Sequence, residues 1–168
     1  CSPPMFETLA TLLVFLFPLA YSPGPVNMVF AANGARFGLR TTLPASLGCH
    51  LATWLVTAAI GAGFLGALDA TPHLFVALKA AGALYGLWLA WRLFRAGTID
   101  GAGGAKPASF GDGVVLLVLN PKAHVIIALM FTQVLPIAGM DQGTAVIAAT
   151  TVFTLNNLIA FTAWMALA

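Results

Sequence analysis

The chain reads as an all-α integral membrane protein, a helical bundle of inverted 3+3 repeats with five of six transmembrane helices present. Three observations predict this class. Of its 168 residues, 60% are hydrophobic and only 7% charged, where a soluble domain carries about 25% charged residues. Uncharged runs long enough to cross about 30 Å of hydrocarbon recur along the whole chain, and the mean hydropathy is +0.96. Two of those runs are interrupted by proline at corresponding places, the mark of an internal repeat in a membrane protein.

The first run covers about residues 6–32. No charge appears between Glu7 and Arg36, yet Tyr21-Ser22-Pro23-Gly24-Pro25-Val26-Asn27 falls inside it. Proline lacks the amide hydrogen of the helical ladder, so two prolines around a glycine predict a broken helix. In lipid a broken helix survives only where its freed backbone groups face protein or a water-filled cavity. The second run spans about residues 45–68, the third 74–93, the fourth 113–135 and the fifth 144–168. They are rich in Leu, Ala, Val and Gly and apolar all round, which predicts membrane crossings rather than amphipathic surface helices.

The connecting charges predict orientation. Arg36 and Arg40 follow the first run, and Arg92, Arg95 and Lys106 follow the third. Asp69 and His73 follow the second run and Asp141 the fourth. Basic residues in short loops favour the cytoplasm, so the N-terminus is expected outside and Ala168 back at the cytoplasmic face. The glycine-rich stretch Gly101-Ala102-Gly103-Gly104 reads as part of a flexible cytoplasmic linker. The expected organisation is therefore a first repeat over residues 1–95, a linker over 96–112 and a second repeat over 113–168. Overlaying Pro23 on Pro121 also lays the second run on the fifth, with the two halves in opposite orientation. That overlay calls for a sixth crossing beyond Ala168, and the chain is read as truncated there. Met5 reads as a natural start, and the residues before it as a cloning or gene-boundary remnant. The first run is too long, and lacks the basic flank, for a cleavable signal.

The prolines direct attention to two clusters. At the first, Ser22, Pro23, Gly24, Pro25 and Asn27 would expose carbonyls and offer a half-helix amide end to an anion such as a carboxylate. At the second, Asn120, Pro121 and Lys122 form the matching break. Lys122 lies about nine residues into its run, roughly 13 Å from the start at helical rise. A lysine at that depth costs about 2.5–3.5 kcal/mol on insertion scales. It is expected to bind a substrate carboxylate or to lose and regain a proton, with snorkelling to the surface the alternative. Lys79, one turn into the third run, is expected to snorkel. Asn156 and Asn157 lie mid-run in the fifth segment and need partners across a helix interface or around a ligand. Adjacent residues point about 100° apart on a helix, so the two amides are not expected to share one cavity. His50 is the second candidate proton carrier beside Lys122, with an interhelical contact as its alternative. Gly34, Gly38 and Gly48 suit close helix approach or a tight loop. Trp54, Trp88, Trp91 and Trp164 suit interfacial anchoring and packing.

Several classes are excluded on the same grounds. A net charge of +2 without a basic run or aromatic platform argues against nucleic acid. Cys1 and Cys49 are too far apart in sequence and setting for a disulfide, and no metal-ligand spacing occurs. No cofactor is called for. A soft-metal efflux site would want more thiolates than Cys49. Ser22 with His50 is the only sketch of a nucleophile and base, and no spacing supports an enzyme.

These residues resemble the lysine exporter (LysE/RhtB-type) translocators of bacteria over almost the whole chain from Met5. The resemblance rests on Ser22-Pro23-Gly24-Pro25 with Asn27, on Gly34, Gly38 and Gly48, on the stretch from Leu78 to Trp91, and on Asn120-Pro121-Lys122-Ala123. Val26 before Asn27, Pro44, and Cys49-His50 depart from the family's usual pattern. The resemblance implies six crossings in the bacterial inner membrane and proton-coupled export of amino acids. The expected partners are a small-molecule amino acid and the lipid bilayer; homo-oligomerisation is open. The lack of a deep acidic residue points to a neutral amino acid over lysine or arginine.

Overall fold

The computed structural model describes residues 5–70, 106–134 and 140–167. Six helices occur among them: α1 Met5–Tyr21, α2 Pro25–Phe37, α3 Leu39–Ala70, α4 Phe110–Val118, α5 Pro121–Val134 and α6 Gln142–Leu167. The third apolar run lies outside the described residues. So do Lys79, Trp88, Trp91, Arg92 and Arg95, His73, and the linker up to residue 105.

The first predicted break is present and short. The last bond of α1 runs from the Ser22 amide to the Pro18 carbonyl at 3.1 Å. Ser22 precedes a proline, which disfavours helical backbone there. Gly24 is extended, and Pro25 opens α2 at its first position, where the missing amide costs nothing. The two helices bend by 62°. Pro23, Gly24 and Pro25 thus end one helix and start the next within a few residues, and Asn27 falls inside α2. α2 ends at Gly38, whose φ of 82° is open to glycine at little steric cost. The turn is tight enough for α3 to begin at the next residue.

α3 starts six residues before the expected boundary and takes Pro44 within its early turns. Its 32 residues make a rod of about 48 Å, well beyond a hydrocarbon core of about 30 Å. The stretch Leu39–Gly63 is apolar enough to cross. Leu43, Leu47, Leu51 and Leu55 recur every fourth residue and are exposed, an apolar stripe suited to lipid.

α4 starts at Phe110, inside the segment expected to be linker, because Ser109 caps it. The Ser109 amide and hydroxyl donate to Asp112 Oδ2 at 2.8 and 2.7 Å, and the Asp112 amide donates to Ser109 Oγ at 3.2 Å. That reciprocal pair satisfies two helix-end groups. The second predicted break follows at Leu119 and Asn120, and Pro121 opens α5. The bend there is 61°, nearly that of the first. α6 is continuous through its 26 residues. Leu39–Gly63 and Gln142–Leu167 are each long and apolar enough to cross a membrane. Counting each bent pair as one broken span raises the number to four among the described residues.

Packing centres on α3 and α6. α3 lies closest to α4 and next to α6, while α6 also contacts α1 and α2. The α3–α4 crossing depends on small residues. A β-carbon on Gly113 would collide with the Ala45 carbonyl, and one on Gly48 with the Phe110 carbonyl, so the backbones touch directly, as helices in lipid do at small residues. Phe30, Cys49, Ala160 and Phe161 fill the core on one side of this arrangement. Leu12, Ile127, Phe131 and Phe153 fill it on the other.

Candidate functional site

The two breaks meet. α1 ends in carbonyls that its own ladder leaves open, and a helix end in lipid has no water to satisfy them. Side chains from both breaks do so instead. Ser22 Oγ donates to the Leu19 carbonyl at 3.0 Å. Asn27 reaches back seven residues, its amide donating to the Ala20 carbonyl at 2.9 Å and to the Ser22 carbonyl at 3.4 Å. Lys122 crosses from α5, and its Nζ donates to the Ser22 carbonyl at 2.8 Å and to Ser22 Oγ at 3.0 Å. A cation at a helix C-terminus also meets the negative end of the helix dipole.

Asn120 holds the lysine in place by capping α5, its Oδ1 accepting from the Lys122 amide at 3.1 Å. Gly24 leaves room for the lysine stem. A β-carbon there would stand 3.1 Å from both Cδ and Nζ of Lys122. Lys122 therefore points inward across the bundle instead of snorkelling. The carbonyl end of α1, not the amide end of α2, is what the second break reaches.

Beneath this bridge lies a cavity of about 20 Å³, room for about one water. Asn27, Thr53, Asn120, Lys122 and Asn157 supply its polar lining, with Phe153 and Phe161 among the apolar groups. No carboxylate lines it among the described residues. Of the residues singled out by sequence, Ser22, Gly24, Asn27, Asn120, Lys122 and Asn157 are brought together. Pro23 and Pro25 are exposed and act on the backbone, and Pro121 opens α5.

Asn156 is not part of the group. It is buried, with its amide nitrogen unpartnered, and does not line the cavity. His50 sits one turn before Thr53. Its Nδ1 lies 2.6 Å from the Ser46 carbonyl, which can only accept, so Nδ1 carries a proton, and Nε2 is the ring's other nitrogen. That Nε2 is buried and unpartnered, and the ring lies edge-on to Phe161 at 5.3 Å. Thr53 is the polar lining residue that sequence reading missed. Its signal was its place three residues after His50, on the same face of α3.

Comparison with known proteins settles the kinship. The family model for "LysE type translocator" matches residues 17–168. The chain belongs to the LysE type translocators. It is 30% identical over 148 residues to a leucine efflux protein of Enterobacter sp. (strain 638), covering 84% of this chain and 70% of that one. It is 33% identical over 107 residues to a cysteine/O-acetylserine efflux protein of Escherichia coli (strain K12), covering 61% of this chain. The match spans only about half of that relative, 53% of its length. An uncharacterized membrane protein of Vibrio cholerae is 31% identical over 129 residues. No solved structure matches. Membership of the LysE type translocators, with long apolar helices and a lipid-suited leucine stripe, makes this a bacterial membrane transport protein.

Proposed function

We propose that the chain exports neutral amino acids across the bacterial inner membrane by proton-coupled secondary transport. The observation that carries this reading is the bond from Lys122 Nζ to the Ser22 carbonyl and hydroxyl, which joins the two helix breaks over a polar cavity. A zwitterion is the ligand that can insert into that pair without changing its net charge. Its carboxylate replaces Ser22 on the Lys122 ammonium. Its own ammonium takes the released Ser22 carbonyl and the oxygens of Asn27, Asn120 and Asn157. A cationic side chain would find no carboxylate in the lining among the described residues, and a buried unpaired charge is costly. The relatives named for leucine and for cysteine/O-acetylserine efflux support a neutral side chain.

The cavity holds about one water, so loading an amino acid requires the halves to part. The reading assigns that motion to rocking of the first half against the second, with inverted topology and the N-terminus outside. The near-equal bends of 62° and 61° are consistent with two related halves. Lys122 and His50 are the candidates, among the described residues, to take up and release a proton.

The test is release of free amino acids from peptide-loaded cells expressing the full gene. Faster release of a neutral amino acid than from empty-vector cells, abolished by Lys122→Ala at equal membrane abundance, is expected. Equal release from both, with the protein in the membrane, would contradict export. Collapse of the pH gradient is expected to slow release; indifference to it would remove proton coupling alone.

A further inference from the structure

A second polar feature runs away from the cavity along α3. Ser46, His50, Thr53 and Thr57 recur at four-, three- and four-residue steps, which places them on one helix face. Their exposures are 2, 6, 1 and 0%, opposite in character to the exposed leucine stripe. This face meets α6 in antiparallel order. His50 packs on Phe161, Trp54 Nε1 donates to Thr151 Oγ1 at 3.2 Å, and Gly61 abuts Val146. Thr57 and Thr150 fall between the last two contacts, and both are fully buried.

A threonine in a membrane helix ordinarily silences its hydroxyl by donating to the carbonyl four residues back. Thr42, Thr53, Thr154 and Thr162 all do so, at 2.7 to 3.0 Å. Thr57 and Thr150 do not, and each hydroxyl is left without a partner. If the seam served only as dry packing, both hydroxyls would carry their full desolvation cost for no return. Past them the seam closes abruptly. A β-carbon on Gly61 would lie 2.6 Å from Phe131 Cζ and 2.7 Å from Val146 Cγ1. Phe131, on α5 beyond the cavity-lining Ala123 and Ile126, is only 1% exposed.

We propose that the α3–α6 seam from Thr53 through Thr57 and Thr150 is a water-filled half-route in the open state. It leads from the cavity to the membrane face opposite Arg36 and Arg40, and Phe131 against Gly61 is its gate. The two hydroxyls find their partners in water or in passing substrate once the gate swings. The proposal rests on the export reading and adds to it the side on which this structure is shut and the residue that shuts it.

The experiment places single cysteines in the full gene product, with Cys49→Ala and every other native cysteine replaced by serine as background, in membrane vesicles. The probe is sulfonatoethyl methanethiosulfonate, which reacts with thiols exposed to water. Thr57→Cys and Thr150→Cys are expected to react about tenfold faster than Ala149→Cys in the core or Leu55→Cys on the lipid stripe, since only a hydrated thiol ionises. Phe131→Ala is expected to accelerate both further. Thiols as inert as the two controls would overturn the route, and no response to Phe131→Ala would overturn the gate. Thr57→Val supplies a second readout. A water-filled route predicts slower amino-acid release at equal membrane abundance, whereas dry packing predicts no change. Release from the cysteine-free background is scored separately. Intact release with inert thiols sinks only the route, while absent release sinks export itself.

Discussion

The two helix breaks bend by 62° and 61°, yet they contribute opposite chemistry. The first, at Ser22 to Gly24, offers acceptors: the carbonyls of Leu19, Ala20 and Ser22 at the end of α1. The second, at Leu119 and Asn120, offers a donor: the Lys122 ammonium, aimed by the Asn120 cap. Neither end is self-sufficient in lipid, where an unmet backbone group or a lone charge is costly. Each supplies what the other lacks, so the proline in each half does more than kink a helix. It exposes one half of a polar pair that the other break completes.

Removing the donor should have the largest effect. A hydrogen bond to a charged group is worth about 2 kcal/mol, so Lys122→Ala is expected to lower amino-acid release or binding by about thirtyfold. Lys122→Arg keeps the charge but not the compact ammonium, and should recover only part of this. Crowding the donor comes next. The β-carbon of Gly24→Ala would press on Lys122 Cδ and Nζ from 3.1 Å, closer than ordinary van der Waals contact, and release is expected to fall severalfold. Protein abundance should be unchanged, because the stem can shift at the expense of its bond to Ser22.

Altering the acceptor side should be read in stability more than in transport. Asn27→Ala leaves the Ala20 carbonyl without its 2.9 Å donor, a loss of about 1–3 kcal/mol that a thermal melt in detergent should register. Ser22→Ala should have the smallest effect. The backbone carbonyl still accepts from Lys122 at 2.8 Å, while the hydroxyl's 3.0 Å contacts to Lys122 Nζ and to the Leu19 carbonyl disappear, a loss of about 1 kcal/mol. An Asn27 effect as small as that of Ser22, or a Ser22 effect as large as that of Lys122, would break the division between donor and acceptor ends.

Much of this was legible in the sequence because proline and charge report directly on the backbone and on lipid. Ser22-Pro23-Gly24-Pro25 and Asn120-Pro121 located both breaks within a residue or two, although a missing amide does not end a helix by itself: Pro18 and Pro44 lie inside α1 and α3. The depth of Lys122 marked it as a residue that needs a reason to be there. Its partner was not legible. Whether the lysine meets carbonyls, amides or the membrane surface depends on which helix end crosses α5, and no local pattern encodes that crossing. The boundaries of α3 and α4 were set too late because Gly38 permits an immediate restart and Ser109 with Asp112 caps early. Asn157 and Asn156 could not be told apart, since one residue turns a side chain by about 100° and only packing fixes the phase. Thr53, Thr57 and Thr150 passed unnoticed because a threonine in a membrane helix is usually silent. Only the structure shows which hydroxyls lack a partner.

The most direct test of the paired breaks is equilibrium binding of radiolabelled leucine to the purified full-length protein, wild type against Lys122→Ala. Saturable binding that weakens by about thirtyfold in the variant is the result expected of an ammonium that holds the substrate carboxylate. Equal affinity in both proteins would mean that the Lys122 bridge only ties the breaks together, and that the amino acid binds elsewhere.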